Sequence, residues 1–506
     1  MRLDAESMTE RGDLAQGAAH RRAARAVIVL GLRSVVVQLC MLAGTVVLSR
    51  TLEPADFGVF AVLQFVLAFF QYFGDAGMGA ALIQRADEPT ERALSSLFTA
   101  HLALGVVVVA ILWLAAPAMV LVWPDLPPGS PWLLRATSVA FLFTSLRVVP
   151  SLLMERRLRF GAIAAAEVGQ VVGFYAVASI CALSGLKDWT WPLALVAQSA
   201  IGTLVLWVAQ PWRPRLGVDR AELKPLLRFG LPFQLKNVVG FVNSSLTPVF
   251  GGAVLGPAAV GLVNWGQSLA YTPLRLVELV ARVAFPLFSR MQMDRHALAR
   301  VFERAMQFCA FGVFFTSAIL LTAGKNVTLV VFTEKWLAGL LALHAFAALI
   351  VIGFVTPVVA VILDALGRPG VIARMSIGWA ALNWVVTPLA TWRWGFPGFV
   401  YGYCVHTIVG NVAVLVAMRT LMPEVRLARA LAAPAAGGLV VAALGWFVLR
   451  PWANTPLRLA LGIALALLAH VTAYAVADPD GFKGAWQLVA GGAGARPIEA
   501  TDRTCT

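Results

Sequence analysis

Apolar stretches long enough to cross a bilayer recur along almost the whole chain, separated by short polar breaks. A spanning helix needs roughly 20 such residues, and the pattern predicts fourteen spans: 26–48, 57–84, 94–119, 132–154, 161–184, 190–209, 229–251, 258–289, 304–323, 337–364, 371–391, 395–418, 430–449 and 457–476. The first run is preceded by a polar segment ending in His20, Arg21, Arg22 and Arg25, and it closes on Leu48-Ser49-Arg50-Thr51 without a small-residue cleavage site. It reads as a retained helix, not a secretory signal.

The breaks carry a charge pattern that orients these spans. With the N-terminus in the cytoplasm, the inner segments hold 25 Lys/Arg and the outer loops hold 6. Such asymmetry over short loops is the positive-inside signature, and it places both termini in the cytoplasm. No outer loop exceeds about 15 residues, so no soluble domain is expected outside.

Composition agrees. Apolar residues make up 59% of the 506 positions and charged residues 13%, with a mean hydropathy of +0.80. Soluble domains carry about 25% charge; here lipid must serve as solvent. The net charge of +14 is spread over many loops, which fits membrane orientation and not nucleic acid. The five cysteines form no close pair, so neither a disulfide framework nor a zinc site is expected. Single histidines (His101, His344, His406, His470) read as satisfied helix residues. Asp478-Pro479-Asp480 resembles an acidic metal motif by chance, and no metal or other cofactor is expected. Gly105 and Gly173 read as points of close helix packing.

An internal repeat refines the architecture. Leu52-Glu53-Pro54-Ala55-Asp56-Phe57-Gly58 matches Leu255-Gly256-Pro257-Ala258-Ala259-Val260-Gly261 at an offset of 203, which also pairs Gln64 with Gln267. Arg159-Phe160-Gly161-Ala162-Ile163-Ala164 and Gly169 match Arg368-Pro369-Gly370-Val371-Ile372-Ala373 and Gly378 at an offset of 209. Each unit holds six spans, so both insert the same way round, about an axis along the membrane normal. The expected fold is an all-α polytopic membrane protein: a tail (1–25), an N-lobe (26–228), a C-lobe (229–429), two further spans (430–476) and a tail (477–506).

Ionisable groups inside spans cost about 2.5–3.5 kcal/mol each on insertion scales and mark function. Here they are Arg33, Asp75, Arg147, Glu167, Lys236, Arg275, Glu278 and Arg282, with Asp364 near an end. The 203 offset pairs Arg33 with Lys236 and Asp75 with Glu278, so each half carries a base on its first span and an acid on its second. At ~1.5 Å per residue, the bases lie roughly 10 Å and the acids roughly 14–17 Å from the cytoplasmic ends. Ion pairs Arg33–Asp75 and Lys236–Glu278 are feasible. They compete with readings in which the charges are simple packing bridges or the bases snorkel.

Span 8 carries the strongest stripe: Asn264, Ser268, Tyr271, Arg275, Glu278 and Arg282 recur at steps of three and four, one helical face. Glu278 is expected to pair with Arg282 at i+4, leaving Arg275 over, and Pro273 to kink the helix. A net positive stripe implies an anionic ligand; its bland alternative is packing against polar groups of a neighbour. Gln64, Gln71 and Asp75 form a weaker stripe in span 2.

Ser49 to Gly58, followed by Asp75-Ala76-Gly77-Met78-Gly79-Ala80-Ala81-Leu82-Ile83-Gln84-Arg85, resembles the opening of the Wzx-like polysaccharide flippases of the MOP superfamily. Arg228-Phe229-Gly230-Leu231-Pro232 and Phe285-Pro286-Leu287-Phe288-Ser289-Arg290 resemble that family's seventh and eighth spans. The resemblance covers about residues 26–420. It implies two six-helix lobes around a cavity in the bacterial cytoplasmic (inner) membrane. The implied cargo is an oligosaccharide on undecaprenyl pyrophosphate, with membrane lipids, a polysaccharide polymerase and chain-length machinery as further partners. The pyrophosphate would be held by Arg33, Lys236, Arg275 and Arg282, helped by Arg147, and Asp75 and Glu278 would act as coupling switches. One position departs from the family pattern: where that pattern has an acid late in span 7, this chain has Leu246-Thr247-Pro248, which puts a shared ion-coupling site there in doubt. The competing readings are a multidrug cation exporter of the same superfamily, which needs cavity acids where span 1 offers Arg33, and a membrane glycosyltransferase or polymerase, which needs long outer loops. A non-transport scaffold is disfavoured by the intramembrane charges.

Overall fold

The computed structural model describes residues 36–74, 77–85, 87–157, 159–291, 293–479 and 481. Among them every regular element is a helix. The main ones are α1 (Val36–Thr51), α2 (Pro54–Gly74), α3 (Met78–Gln84), α4 (Glu91–Ala115), α5 (Ser130–Leu146), α6 (Val148–Arg156), α7 (Phe160–Leu183), α8 (Thr190–Ala209), α9 (Arg220–Leu246), α10 (Gly252–Ala270), α11 (Leu274–Met291), α12 (Arg295–Val327), α13 (Leu340–Gly353), α14 (Val355–Ala365), α15 (Pro369–Leu421), α16 (Leu427–Leu444) and α17 (Pro456–Ala477). Among the described residues, ten helical stretches are long and apolar enough to cross a membrane, or eleven with the bent pair α5–α6 taken as one span. Side chains such as Leu114 and Leu121, 83% and 84% exposed, suit lipid and would be costly in water.

Polar residues punctuate these helices. The Thr90 hydroxyl accepts the Ala93 amide at 3.1 Å, and Asp219 and Asp294 accept the Ala221 and Ala297 amides at 2.9 Å each; these side chains satisfy orphan donors of a first turn. Breaks fall at residues in left-handed conformations, which glycine adopts without steric cost: φ is 78° at Gly256, inside α10, and 60° at Gly395, inside α15. Pro273 does more than kink span 8. The helix stops at Ala270 and restarts at Leu274, with Tyr271, Thr272 and Pro273 forming a turn in which the Leu274 amide bonds Tyr271 O at 2.9 Å.

The chain divides into two compact units: residues up to Asn264 with Ala380–Phe399, and Trp265–Trp379 with the part from Val400 onward. In the first, Leu48, Leu52, Val62, Leu63, Leu112 and Trp191 form a buried core, with Phe60 stacked on Trp191 at 4.2 Å between ring centres. A second cluster joins α3, α4, α6 and α9 through Leu82, Leu97, Leu152 and Leu226. Helices in lipid gain little from apolar burial against each other, so association relies on close packing. Gly105 and Gly173 conform to that expectation: a Cβ there would lie 2.5 Å from Ser145 Oγ and 2.3 Å from Ile201 Cδ1.

In the second unit, α11, α12, α14 and α15 share a core of Val277, Phe302, Met306, Phe354, Val358 and Met418. The last two helices are fastened to α12: Asn326 Nδ2 donates to the carbonyls of Arg450 (3.1 Å) and Ala453 (3.2 Å), and His470 Nε2 lies 3.1 Å from Phe311 O.

Candidate functional site

The intramembrane charges fare differently. Arg33 and Asp75 lie outside the described residues, and the side chains of Lys236 and Arg282 do too, although their backbones run in α9 and α11. Arg147, Arg275 and Glu278 are described.

Arg275 sits just after the break at Pro273. Its Nη1 lies 3.8 Å from Glu278 Oε2, with both side chains exposed. Among the described side chains Glu278 pairs with Arg275 at i−3, so Arg275 is not left over; the expected pairing of Glu278 with Arg282 falls outside the described side chains. Both spacings put side chains on one face, and the turn at Tyr271–Pro273 resets the face on which Arg275 emerges. The pair is loose, and an exposed pair of this kind contributes only about 0–1 kcal/mol. Above the break, Gln267 Nε2 donates to Tyr403 Oη at 3.1 Å, and Tyr403 is hydrogen-bonded to Tyr271. Tyr403 went unnoticed in the sequence, where a tyrosine in an apolar span gives no periodic signal.

Arg147 lies at the corner of a 41° bend between α5 and α6. Pro150 has no N–H to give Leu146 O, its partner in an unbroken helix. That carbonyl takes the indole N–H of Trp207 at 3.1 Å. The Arg147 amide bonds Ser145 O, leaving Phe143 O to accept Thr203 Oγ1 at 2.8 Å. Both donors lie on α8, which therefore fixes the bend. The guanidinium reaches α7, where Nη1 donates to Gln170 Oε1 at 2.9 Å. A Cβ at Gly202 would sit 2.6 Å from Gln170 Cδ, so the absence of a side chain there makes room for the amide. The sequence held one clue to Gln170: it follows Glu167 by one turn on the same face.

Further along the first unit, Asn383 Nδ2 donates to Asn243 Oδ1 at 3.0 Å and Thr387 Oγ1 to Asn383 Oδ1 at 2.8 Å. The segment that departs from the family pattern forms a π-helical turn, Thr247–Gly251, whose Pro248 carbonyl accepts the Trp123 indole N–H at 2.7 Å in a buried contact.

The two repeat segments meet. A Cβ at Gly58 would lie 1.7 Å from Pro257 O, and one at Gly261 would lie 1.8 Å from Pro54 O. At the other end of α2, a Cβ at Gly77 would lie 2.5 Å from Gly230 O, and Arg85 Nη1 pairs with Glu222 Oε2 at 2.7 Å. Arg156 caps the end of α3 by donating to the carbonyls of Leu82 and Arg85, both at 2.7 Å.

Comparisons with known proteins bear on what this arrangement is for. A family model described as polysaccharide biosynthesis protein matches residues 47–340. The lipopolysaccharide biosynthesis protein WzxC of Escherichia coli (strain K12) is 27% identical over 301 residues, 57% of this chain and 59% of that protein. The succinoglycan biosynthesis transport protein ExoT of Rhizobium meliloti (strain 1021) is 26% identical over 308 residues, 59% of this chain and 61% of that protein. The chain thus spans about three fifths of the length of the curated relatives it matches. Among solved structures, the lipid II flippase MurJ in an inward closed conformation superposes with a TM-score of 0.73 at 12% identity, over 90% of this chain and 99% of that one; the likeness is one of fold. With more than half its length matched by the model, the chain belongs to the polysaccharide biosynthesis protein family, the Wzx-like family of the MOP superfamily.

Proposed function

We propose that the protein is a transporter, not an enzyme, and that it moves oligosaccharide units linked to undecaprenyl pyrophosphate across the bacterial cytoplasmic membrane. The observation that carries this reading is the family match over residues 47–340 on a fold shared with a lipid II flippase. The names of WzxC and ExoT add surface polysaccharides as the destination.

In this reading the chain crosses the membrane fourteen times with both termini in the cytoplasm, the long helices α10 and α15 being interrupted at Gly256 and Gly395. Two six-helix lobes, 26–228 and 229–429, would be followed by the spans within 430–476. The Lys/Arg asymmetry supports this orientation. It puts the Gly58–Gly261 crossing at the outer face and the Gly77–Gly230 contact at the inner one. Trp132 under Arg135 and Trp446 under Arg450, at 4.5 and 4.3 Å, would then belong to the outer aromatic belt.

Arg33, Lys236, Arg275, Arg282 and Arg147 bind the pyrophosphate, and Asp75 and Glu278 are the switches that release it. A ligand shifts a two-state equilibrium only through different affinity for the two states. An arriving pyrophosphate that competes with Glu278 for Arg275 would provide such a difference. The loose geometry of that pair supports the role, because little has to be broken. A polymerase and chain-length machinery act on the product. The test is complementation: in a bacterium lacking its own exporter of a known lipid-linked repeat unit, this chain should restore surface polysaccharide. Failure with several repeat units, at normal membrane level, refutes the assignment.

A further inference from the structure

The environment of Arg147 is unusual for a cation inside a span. Such groups ordinarily pair with an acid or with backbone carbonyls. Among the described residues Arg147 has no carboxylate partner, and the side-chain group that receives its guanidinium is the neutral amide of Gln170, at 2.9 Å. An acid is close by in sequence: Glu167, one turn earlier on α7, makes contacts of its own but no ion pair with Arg147.

The surroundings are built around this contact. Trp207 and Thr203 of α8 hold the carbonyls of Leu146 and Phe143 that the bend releases, which fixes where Arg147 leaves the backbone. On the same helix Gly202 leaves the space that the Gln170 amide fills. A glutamate would fit that space equally well and would give a charge-assisted bond. It would also cancel the positive charge.

We propose that Gln170 is a positioning residue that orients Arg147 without neutralising it, and that Arg147 so held is part of the binding site for the diphosphate head of the lipid-linked cargo. A guanidinium has five donors in a rigid fork suited to phosphate oxygens, and Gln170 occupies one of them, leaving the rest of the fork and the full charge for the ligand. This inference rests on the cargo assigned above and adds its own determinants: Gln170 for the direction of the fork and Gly202 for the room the amide takes.

The test uses the full-length protein in nanodiscs, with undecaprenyl pyrophosphate as probe and undecaprenol as the headless control. Affinity is followed by tryptophan fluorescence, and thermal unfolding is recorded on the same samples. Wild type should bind the pyrophosphate and not the alcohol. Gln170→Glu should weaken binding about tenfold, as expected when the charged hydrogen bonds of one base are diverted, with a melting temperature equal to or above wild type. Arg147→Gln should weaken it by a similar factor, because either change lowers the charge of the site by one. Equal affinity of wild type and Gln170→Glu overturns the inference and leaves the transport reading intact. Wild type that ignores the pyrophosphate overturns both. If Gln170→Glu does not accumulate, Gly202→Ala takes its place: it pushes on the amide while leaving the charge of Arg147 unchanged, and should weaken binding several-fold, with unchanged binding again overturning the inference.

Discussion

Gly58 and Gly261, 203 positions apart, make reciprocal contacts: each α-carbon faces the carbonyl of the proline four residues before its repeat partner, Pro257 for Gly58 and Pro54 for Gly261, so closely that a Cβ would fall 1.7 and 1.8 Å from the oxygen. A repeat that packs on its own copy in this way is related by a local two-fold axis, which passes between the two segments. Only glycine permits the approach, since both obstacles are backbone and cannot swing away.

Gly58→Ala and Gly261→Ala should therefore each destabilise the protein, by about 1–3 kcal/mol as for other overpacked sites, and by similar amounts because the contacts are reciprocal. Gly240 has open space where its Cβ would be, so Gly240→Ala is the control and should leave thermal unfolding in detergent unchanged or slightly raised. A normal melting temperature for both Gly58→Ala and Gly261→Ala would refute the crossing.

The Trp123–Pro248 hydrogen bond offers a second measurement. Trp123→Phe keeps most of the ring but leaves the Pro248 carbonyl without its donor, at a cost of about 1–3 kcal/mol for a buried unsatisfied group. Because both residues lie at the Gly58–Gly261 end of the first unit, the substitution should raise labelling of a cysteine placed at Asp125, beside Gly256, by a membrane-impermeant reagent. Unchanged labelling and stability would mean that the contact holds nothing shut.

At Arg275 the expected outcome separates binding from structure. Arg275→Ala should abolish export at near-normal membrane level, and Arg275→Lys should retain part of it, keeping charge without the fork. Reversing the pair with Arg275→Glu and Glu278→Arg restores the attraction but moves the base, so folding should recover and export should not. Full export by the reversed pair would reduce both residues to packing.

Orientation is tested by cysteine labelling. Position 127 should react with an impermeant outside reagent in whole cells, and position 213 should react only after permeabilisation. Outside labelling of position 213 would invalidate the fourteen-span arrangement.

The sequence was informative where the physics is local. The repeat marked Pro54–Gly58 and Pro257–Gly261 as equivalent segments, while their packing on each other is what the structure adds. Pro273 marked the break in the eighth predicted span. Partner choice was less legible. Glu278 has Arg275 within reach three residues back, and because i−3 and i+4 neighbours are almost equidistant on a helix, spacing alone does not choose between partners. Gln170 was invisible as the partner of Arg147, because a contact between helices depends on crossing angle and on a glycine at Gly202, neither of which periodicity encodes. The span count was harder still: α15 is two helical stretches that meet at Gly395, where φ 60° and ψ −136° leave the helical region, a break that hydropathy registers only as a short polar interval.

The central claim is the movement of a lipid-linked oligosaccharide, and the most direct measurement follows that movement in liposomes. Undecaprenyl-pyrophosphate-linked oligosaccharide is distributed over both leaflets, and the fraction open to an impermeant glycan-oxidising reagent is recorded with time. Wild-type protein should carry the inner pool to the reagent until nearly all is consumed, while vesicles with Arg275→Ala should stop at the outer-leaflet half, as protein-free vesicles do. Wild-type vesicles that stop at one half would contradict the account.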